Sequence, residues 1–171
     1  MNLSARQFLH ENLLQDVERV LDETGLDPAV LDLEITESSV MHNPERATIL
    51  LRELKTMGMS ISIDDFGTGY SSLSYLKRFP IDSVKIDRSF IGELPGNGDD
   101  AAITQAIIVM AHALGLSVVA EGVETREQVS FLRAHGCDEM QGHYFGKAVS
   151  EREFARLVLE ASRSTEGRLP A

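Results

Sequence analysis

Apolar and polar residues alternate along several short stretches of this chain and recur at helical spacing between them. In residues 60–64, Ile61 and Ile63 fall on one side and Ser60, Ser62 and Asp64 on the other, the period of two expected of a strand. Residues 31–36 repeat it, with Leu31, Leu33 and Ile35 opposite Asp32, Glu34 and Thr36. Three further strands are predicted in 82–89, where Val84 and Ile86 oppose Lys85 and Asp87, in 117–124, which carries Glu121, and in 137–145, which contains Gln141.

Between them lie helical patterns. Phe8 to Thr24 reads as one helix, with a stripe of Leu9, Leu13, Leu14, Val17, Val20 and Leu21 closed by Gly25. Asp27-Pro28 opens a brief helical turn, and Asn43-Pro44 caps a helix carried by Ile49, Leu50, Leu51, Leu54 and Met57 and stopped at Gly58. A shorter helix is predicted from Ser71 to Phe79, broken at Pro80, and an apolar one runs from Ile103 to Leu114. Thr125 and Gln128 have capping-box spacing ahead of a helix ending at Gly136; Ser150 and Glu153 repeat it before a last helix through Val158 and Leu159. Met1 to Ser4 reads as a stub and Ser162 to Ala171 as a frayed tail, so one domain is expected over 1–161.

Strands alternating with helices imply a parallel sheet with helices outside it. In barrels and open sheets of that class, functional residues gather at the C-terminal ends of the strands. Glu34, Asp64, Lys85, Glu121 and Gln141 all fall there, on the polar side of their strands. One mouth can hold all five.

Asp64 is followed at once by Asp65 and then by Gly67, Thr68 and Gly69. Adjacent carboxylates at a strand end beside a glycine-bearing loop suit a divalent cation with hard oxygen ligands; the alternative is turn capping ahead of the next helix. Lys85 reads either as a solvated strand residue or, from its parity with the acids, as part of the site. Glu121 is a surface acid or one aimed inward by the tight turn at Gly122, and Gln141-Gly142 is also ordinary turn chemistry.

Charge and composition narrow the classes. With 16 basic against 27 acidic residues the formal charge is −11, which argues against a nucleic-acid polymer as partner but leaves room for a small phosphate ligand bridged by metal. No apolar run is long enough for a membrane span and no signal-peptide pattern opens the chain, so a cytoplasmic location is expected. Cys137 is the single cysteine, read as a small buried hydrophobe, and the five histidines show no metal spacing. Asp65-Phe66-Gly67 lacks the glycine-rich and catalytic loops of a kinase, and Gly67 to Ser72 lacks the lysine of a phosphate-cradling loop.

The segments NLS at Asn2, EITES at Glu34, DDFGTGYSSL at Asp64, KIDRSF at Lys85, AEGVET at Glu121 and QGHYF at Gln141 together resemble the EAL-domain family of cyclic di-GMP phosphodiesterases. The resemblance covers nearly the whole chain. It implies a TIM-like (β/α)8 barrel, here incomplete with about the last six strands, and cleavage of one phosphodiester of cyclic di-GMP to linear pGpG with magnesium or manganese, two ions in all. By matching positions, Asn2, Glu34 and Asp64 are implied as metal ligands and Asp65 as ligand of a second ion. Lys85 is implied to hold a water or phosphate oxygen, Glu121 to be the base or water-orienting acid, and Glu37 to steady the loop after Asp65. Asp87, Glu124 and Gln141 are implied as supporting residues around metal and substrate.

The sequence departs from the family in lacking the strand with the Glu-Ala-Leu signature, whose glutamate is a further metal ligand. Two alternatives therefore stand beside the phosphodiesterase: a binding or regulatory module without turnover, and a dimerisation or interaction remnant using the open barrel edge. A homodimer, or an upstream sensory or GGDEF-type domain in a parent protein, is the partner expected beside cyclic di-GMP.

Overall fold

A computed structural model describes residues 1–69 and 73–166 of the chain. Among them, six strands form one parallel sheet in chain order: β1 (Asn2–Leu3), β2 (Asp32–Thr36), β3 (Ser60–Phe66), β4 (Ser83–Ile86), β5 (Ser117–Ala120) and β6 (Glu139–Met140). Strands adjacent in sequence are adjacent in space, each pair joined by helical crossovers, as in the wall of an α/β barrel. The crossover helices are α1 (Ala5–Phe8), α2 (Leu13–Thr24), α3 (Glu37–His42), α4 (Pro44–Thr56), α5 (Leu73–Leu76), α6 (Arg88–Ile91), α7 (Gly98–Ala113) and α8 (Arg126–Ala134), and α9 (Glu151–Glu166) follows β6.

Alternation in the sequence becomes two faces of the sheet. Leu33, Ile35, Ile61, Ile63, Val84, Ile86, Val118 and Ala120 are all 0% exposed and face the helices. Burial of each large member is worth roughly 1.5–3 kcal/mol, so a one-residue slip that turned them to the other side would be prohibitive. The opposite face is polar. A cavity of about 350 Å³ lies against it, lined by Asp32, Glu34, Ser62, Ser83, Lys85 and Gln141 among others. Its floor is a hydrogen-bonded row in which Ser62 Oγ lies 2.8 and 2.9 Å from the Asp32 carboxylate oxygens and 2.7 Å from Ser83 Oγ.

Several boundaries differ from the sequence expectation. The stub is strand β1, with Asn2 in register with Glu34 and Leu3 with Ile35. The first helix is two helices. Ser4 caps α1 in a capping box with Gln7, and a turn through His10 then starts α2. Phe8 and Leu13 are both buried, whereas on one continuous helix they would point about 140° apart, so the turn is what lets both reach the core. The third and fourth predicted strands are overlong: β4 stops at Ile86 because Asp87 Oδ1 accepts from Ser89 N–H at 3.0 Å and starts α6, while β5 stops at Ala120. The last strand is reduced to Glu139–Met140. Helix α3 falls where the sequence shows too short a stripe to predict one. Of the helix expected over 71–79, Ser71 and Ser72 lie outside the described residues and the helical part is Leu73–Leu76. Helix α9 continues to Glu166, into the stretch read as tail, and 167–171 lie outside the described residues.

The capping box at Thr125 and Gln128 is present, and Cys137 is buried, its thiol pushed up to about 11 by burial. No helix among the described residues is long and apolar enough to cross a membrane.

Asp138 fastens the start of β5 to the loop before β6. Its Oδ2 accepts from Val118 N–H at 2.8 Å and lies 2.8 Å from His112 Nε2. Burial works to raise this carboxyl, but the His112 and Val118 contacts outweigh it and hold it below the usual carboxylate range. A depressed carboxylate contributes stability that is present above its unfolded pKa and lost as pH falls through the folded one. Asp138→Asn is therefore expected to melt at a lower temperature than the parent chain near pH 7, with the gap closing below about pH 4, as read by thermal denaturation across pH.

Candidate functional site

The polar side chains that leave the C-terminal ends of β2 to β6 meet above the serine and aspartate floor. Their centre is Lys85, on β4 and only 5% exposed. Its Nζ lies 2.6 Å from Glu121 Oε1, 2.9 Å from Glu34 Oε1 and 3.7 Å from Asp64 Oδ1. Burial works against the ammonium, yet the hydrogen bonds to Glu121 and Glu34 and the charges of Glu121 and Asp64 hold its pKa above the ordinary lysine value. These contacts favour the charged form of Lys85.

Glu121 leaves β5 beside it. Its N–H donates to Ile86 O at 3.2 Å, and its Oε1 accepts from Gln141 Nε2 at 2.6 Å as well as from Lys85. Burial pushes the Glu121 carboxyl up, against the pull of Lys85, and the Asp64 and Glu34 charges add to the rise. One positive charge thus faces three acids, an excess that draws a further cation to the mouth.

Asp65 takes a left-handed conformation, φ 53°, the one non-glycine residue to do so among the described residues. That twist falls where the register of β3 against β4 shifts, between Ile63 and Phe66, and the Asp65 N–H donates to the Asp64 carboxylate at 3.0 Å. The Asp65 carboxyl is raised by burial and then by the charges of Asp64 and Asp87, with Lys85 opposing. Asp87, at the end of β4, is pushed up by burial but held below its usual value by hydrogen bonds from Ser89 and Arg88. Acids on two neighbouring strands thereby differ: one resists ionisation, the other favours it.

The loop beyond Asp65 rests on Glu37, which is 1% exposed at the start of α3. Its Oε2 accepts from Gly67 N–H at 2.9 Å. A Cβ on Gly69 would come within 2.9 Å of Glu37 Oε1, so glycine at 69 is what lets the loop close over this buried carboxylate. Tyr70, Ser71 and Ser72 of the same motif lie outside the described residues.

Of the residues singled out in the sequence, Glu34, Asp64, Lys85, Glu121 and Gln141 are brought into contact, and Asn2 stands in register beside Glu34. Asp65 and Asp87 border the cluster, and Glu37 lies beneath its loop. Glu124 stands apart on an exposed rim, where its Oε1 is 4.0 Å from His143 Nδ1. The sequence reading missed the Asp32–Ser62–Ser83 floor. Their shared polar parity was visible; their mutual registry needed the sheet.

The donor chemistry fits a hard divalent ion: the Glu34, Asp64 and Glu121 carboxylates already surround a cationic group, and Asn2 and Asp65 add oxygens at the border. Among the described residues, no group of three or more His, Cys, Asp or Glu side chains forms a ready-made cage. The carboxylates face Lys85 instead.

The chain is similar in sequence and fold to known proteins. The model of the EAL domain family matches residues 1–148. The bifunctional diguanylate cyclase/cyclic di-GMP phosphodiesterase MucR of Pseudomonas aeruginosa is 50% identical over 158 residues, which are 92% of this chain and 23% of that protein. Among solved structures, the MucR phosphodiesterase in complex with c-di-GMP superposes with a TM-score of 0.87 at 48% identity, covering 90% of this chain and 62% of that one. The manganese and cyclic di-GMP complex of Klebsiella pneumoniae BlrP1 gives 0.78 at 34% identity, covering 86% of this chain and 38% of that one. The chain spans about a fifth to a quarter of the length of the curated relatives it matches, 19–23% for the first three.

Lys85→Met would leave three carboxylates facing one another with no counter-charge. The expected loss is roughly 1–3 kcal/mol near pH 7, less than for a fully buried pair because the acids stay partly exposed. The loss should shrink in acid as the carboxylates neutralise, which urea denaturation at two pH values would measure.

Proposed function

The chain belongs to the EAL domain family, and from that membership we propose that it binds cyclic di-GMP and hydrolyses one of its phosphodiester bonds to linear pGpG. The observation that carries the reading is the convergence of Glu34, Asp64, Glu121 and Gln141 around one buried lysine at the C-terminal ends of parallel strands. Asn2, Glu34 and Asp64 would hold one divalent ion, magnesium or manganese, and Asp65 a second. When bound, such ions neutralise phosphoryl oxygens and lower the pKa of water.

The chain's own groups do the rest. Glu121 orients the attacking water and accepts its proton; Gln141, donating to the same carboxylate, fixes which way it faces. Lys85 sets its ammonium where negative charge develops on the phosphate. Glu37 holds the loop at Gly67, which keeps Asp65 in place, and Asp87 borders the Asp65 carboxylate. Glu124, on the exposed rim, would support the substrate from outside the cluster. In a parent protein the segment would work beside a sensory or GGDEF-type domain or as a homodimer.

A second reading, cyclic di-GMP binding without turnover, is favoured by the engagement of the carboxylates with Lys85 in place of a ready-made metal cage. Incubation of the chain with cyclic di-GMP and manganese, with products separated by chromatography, decides between them. The phosphodiesterase should release pGpG, stop on addition of a chelator, and lose at least about 100-fold in rate in Asp64→Asn and Glu121→Gln. Tight binding with no product supports the second reading. Neither binding nor product overturns both.

A further inference from the structure

The loop that carries Glu121 out of β5 is held from below by a side chain with no place in the proposed chemistry. Gln128, on the first turn of α8, is 3% exposed. Its Oε1 accepts from the N–H groups of Glu124 and Thr125 at 2.7 and 2.9 Å. Its Nε2 donates to the carbonyls of Ile91 and Gly92 at 3.0 and 3.1 Å. We propose that Gln128 is a positioning residue: it clamps the β5–α8 loop to the end of α6 and so fixes the Glu121 carboxylate against Lys85.

A capping-box glutamine ordinarily serves only the N-cap amide of its own helix. Gln128 does that at Thr125, and its second loop contact and both donors reach further. The two segments it joins are the ones that matter for the site. Residues 124 and 125 follow Glu121 by three and four positions; residues 91 and 92 end the short helix that Asp87 begins, two positions after Lys85. One amide therefore links the strand end bearing the lysine to the strand end bearing the acid, and both its donors and two of its acceptor positions are used.

The two segments also touch. Gly122 has φ 68°, and a Cβ there would come within 2.6 Å of Arg88 Cβ. The loop thus lies on α6 at backbone contact, and Gln128 holds it there. From the other side, Val123 N–H donates to Gln141 O at 3.1 Å, so Glu121 sits in a loop fastened at both flanks. Methionine at 128 would fill the same volume and make none of the four bonds.

The inference rests on the reading of Glu121 as the water-orienting acid, and its test separates the two. Gln128→Met is compared with Val129→Ala, a buried neighbour on the same helix whose bond to the loop, Val129 N–H to Thr125 O at 3.2 Å, is a backbone one that the substitution keeps, in the full 171-residue chain. With cyclic di-GMP and manganese, Gln128→Met should lower kcat by about 10–100-fold with KM changed less than about threefold, while Val129→Ala stays within about threefold in both. A Gln128→Met kcat within threefold of the parent, or an equal loss in Val129→Ala, overturns the proposal. If the parent chain releases no product, the proposed function fails and the clamp is read by hydrogen exchange. Amides from 121 to 125 should then exchange at least about tenfold faster in Gln128→Met than in Val129→Ala, and equal rates overturn it.

Discussion

A buried ammonium can be kept only if carboxylates surround it, and the sheet is arranged around that requirement. Lys85 sits on the inner side of β4, flanked by Glu34 and Asp64 on one side and Glu121 on the other. Removing an ion from water costs several kcal/mol, and the cost is offset only by partners at hydrogen-bond distance. Each acid comes from a different strand, so each strand's register is tied to the same point. The outer face supplies the force that holds these registers. The fully buried Leu, Ile and Val side chains fix the parity of β2 to β5, and parity alone decides whether Lys85 meets acids or hydrocarbon.

The interior departs from the usual barrel in a way that matters to the site. Barrel interiors are commonly filled by branched apolar side chains. Here the layer beneath the cluster is Asp32, Ser62 and Ser83, joined by hydrogen bonds. Such a floor is polarisable and leaves room for water, which suits a cluster whose net charge is negative. It also explains the clean alternation of the sequence, since parallel strands packed on both faces read as continuous apolar runs.

Much of this was legible before the fold was seen, because parity is a local property. Glu34, Asp64, Lys85 and Glu121 could be assigned to one mouth from strand period and the rule that parallel strands share a C-terminal edge. The motifs from Asn2 to Gln141 narrowed the family, and the match over residues 1–148 bears that resemblance out. Boundaries were less legible. Strand β4 ends where the Asp87 side chain captures a backbone amide, a competition that hydrophobic pattern does not register. The turn between α1 and α2 was hidden because Leu9 continues the helical stripe although the chain has already left the helix. The Gln128 contacts were invisible for another reason: capping-box spacing reveals the local bond and is silent about the carbonyls of α6, more than thirty residues earlier.

Asp65 carries a consequence that reaches beyond the site. Its left-handed backbone, φ 53°, is one that glycine adopts freely and that an L-residue with a side chain adopts at a cost of about 1 kcal/mol. Its carboxyl is additionally crowded by burial and two neighbouring acids. For folding alone, glycine would serve better at 65. If Asp65 holds a metal ion as proposed, stability and chemistry pull in opposite directions at this one position, so a search for hardier variants of this chain would tend to erase the acid, and heat tolerance gained there would be a sign of a weakened site.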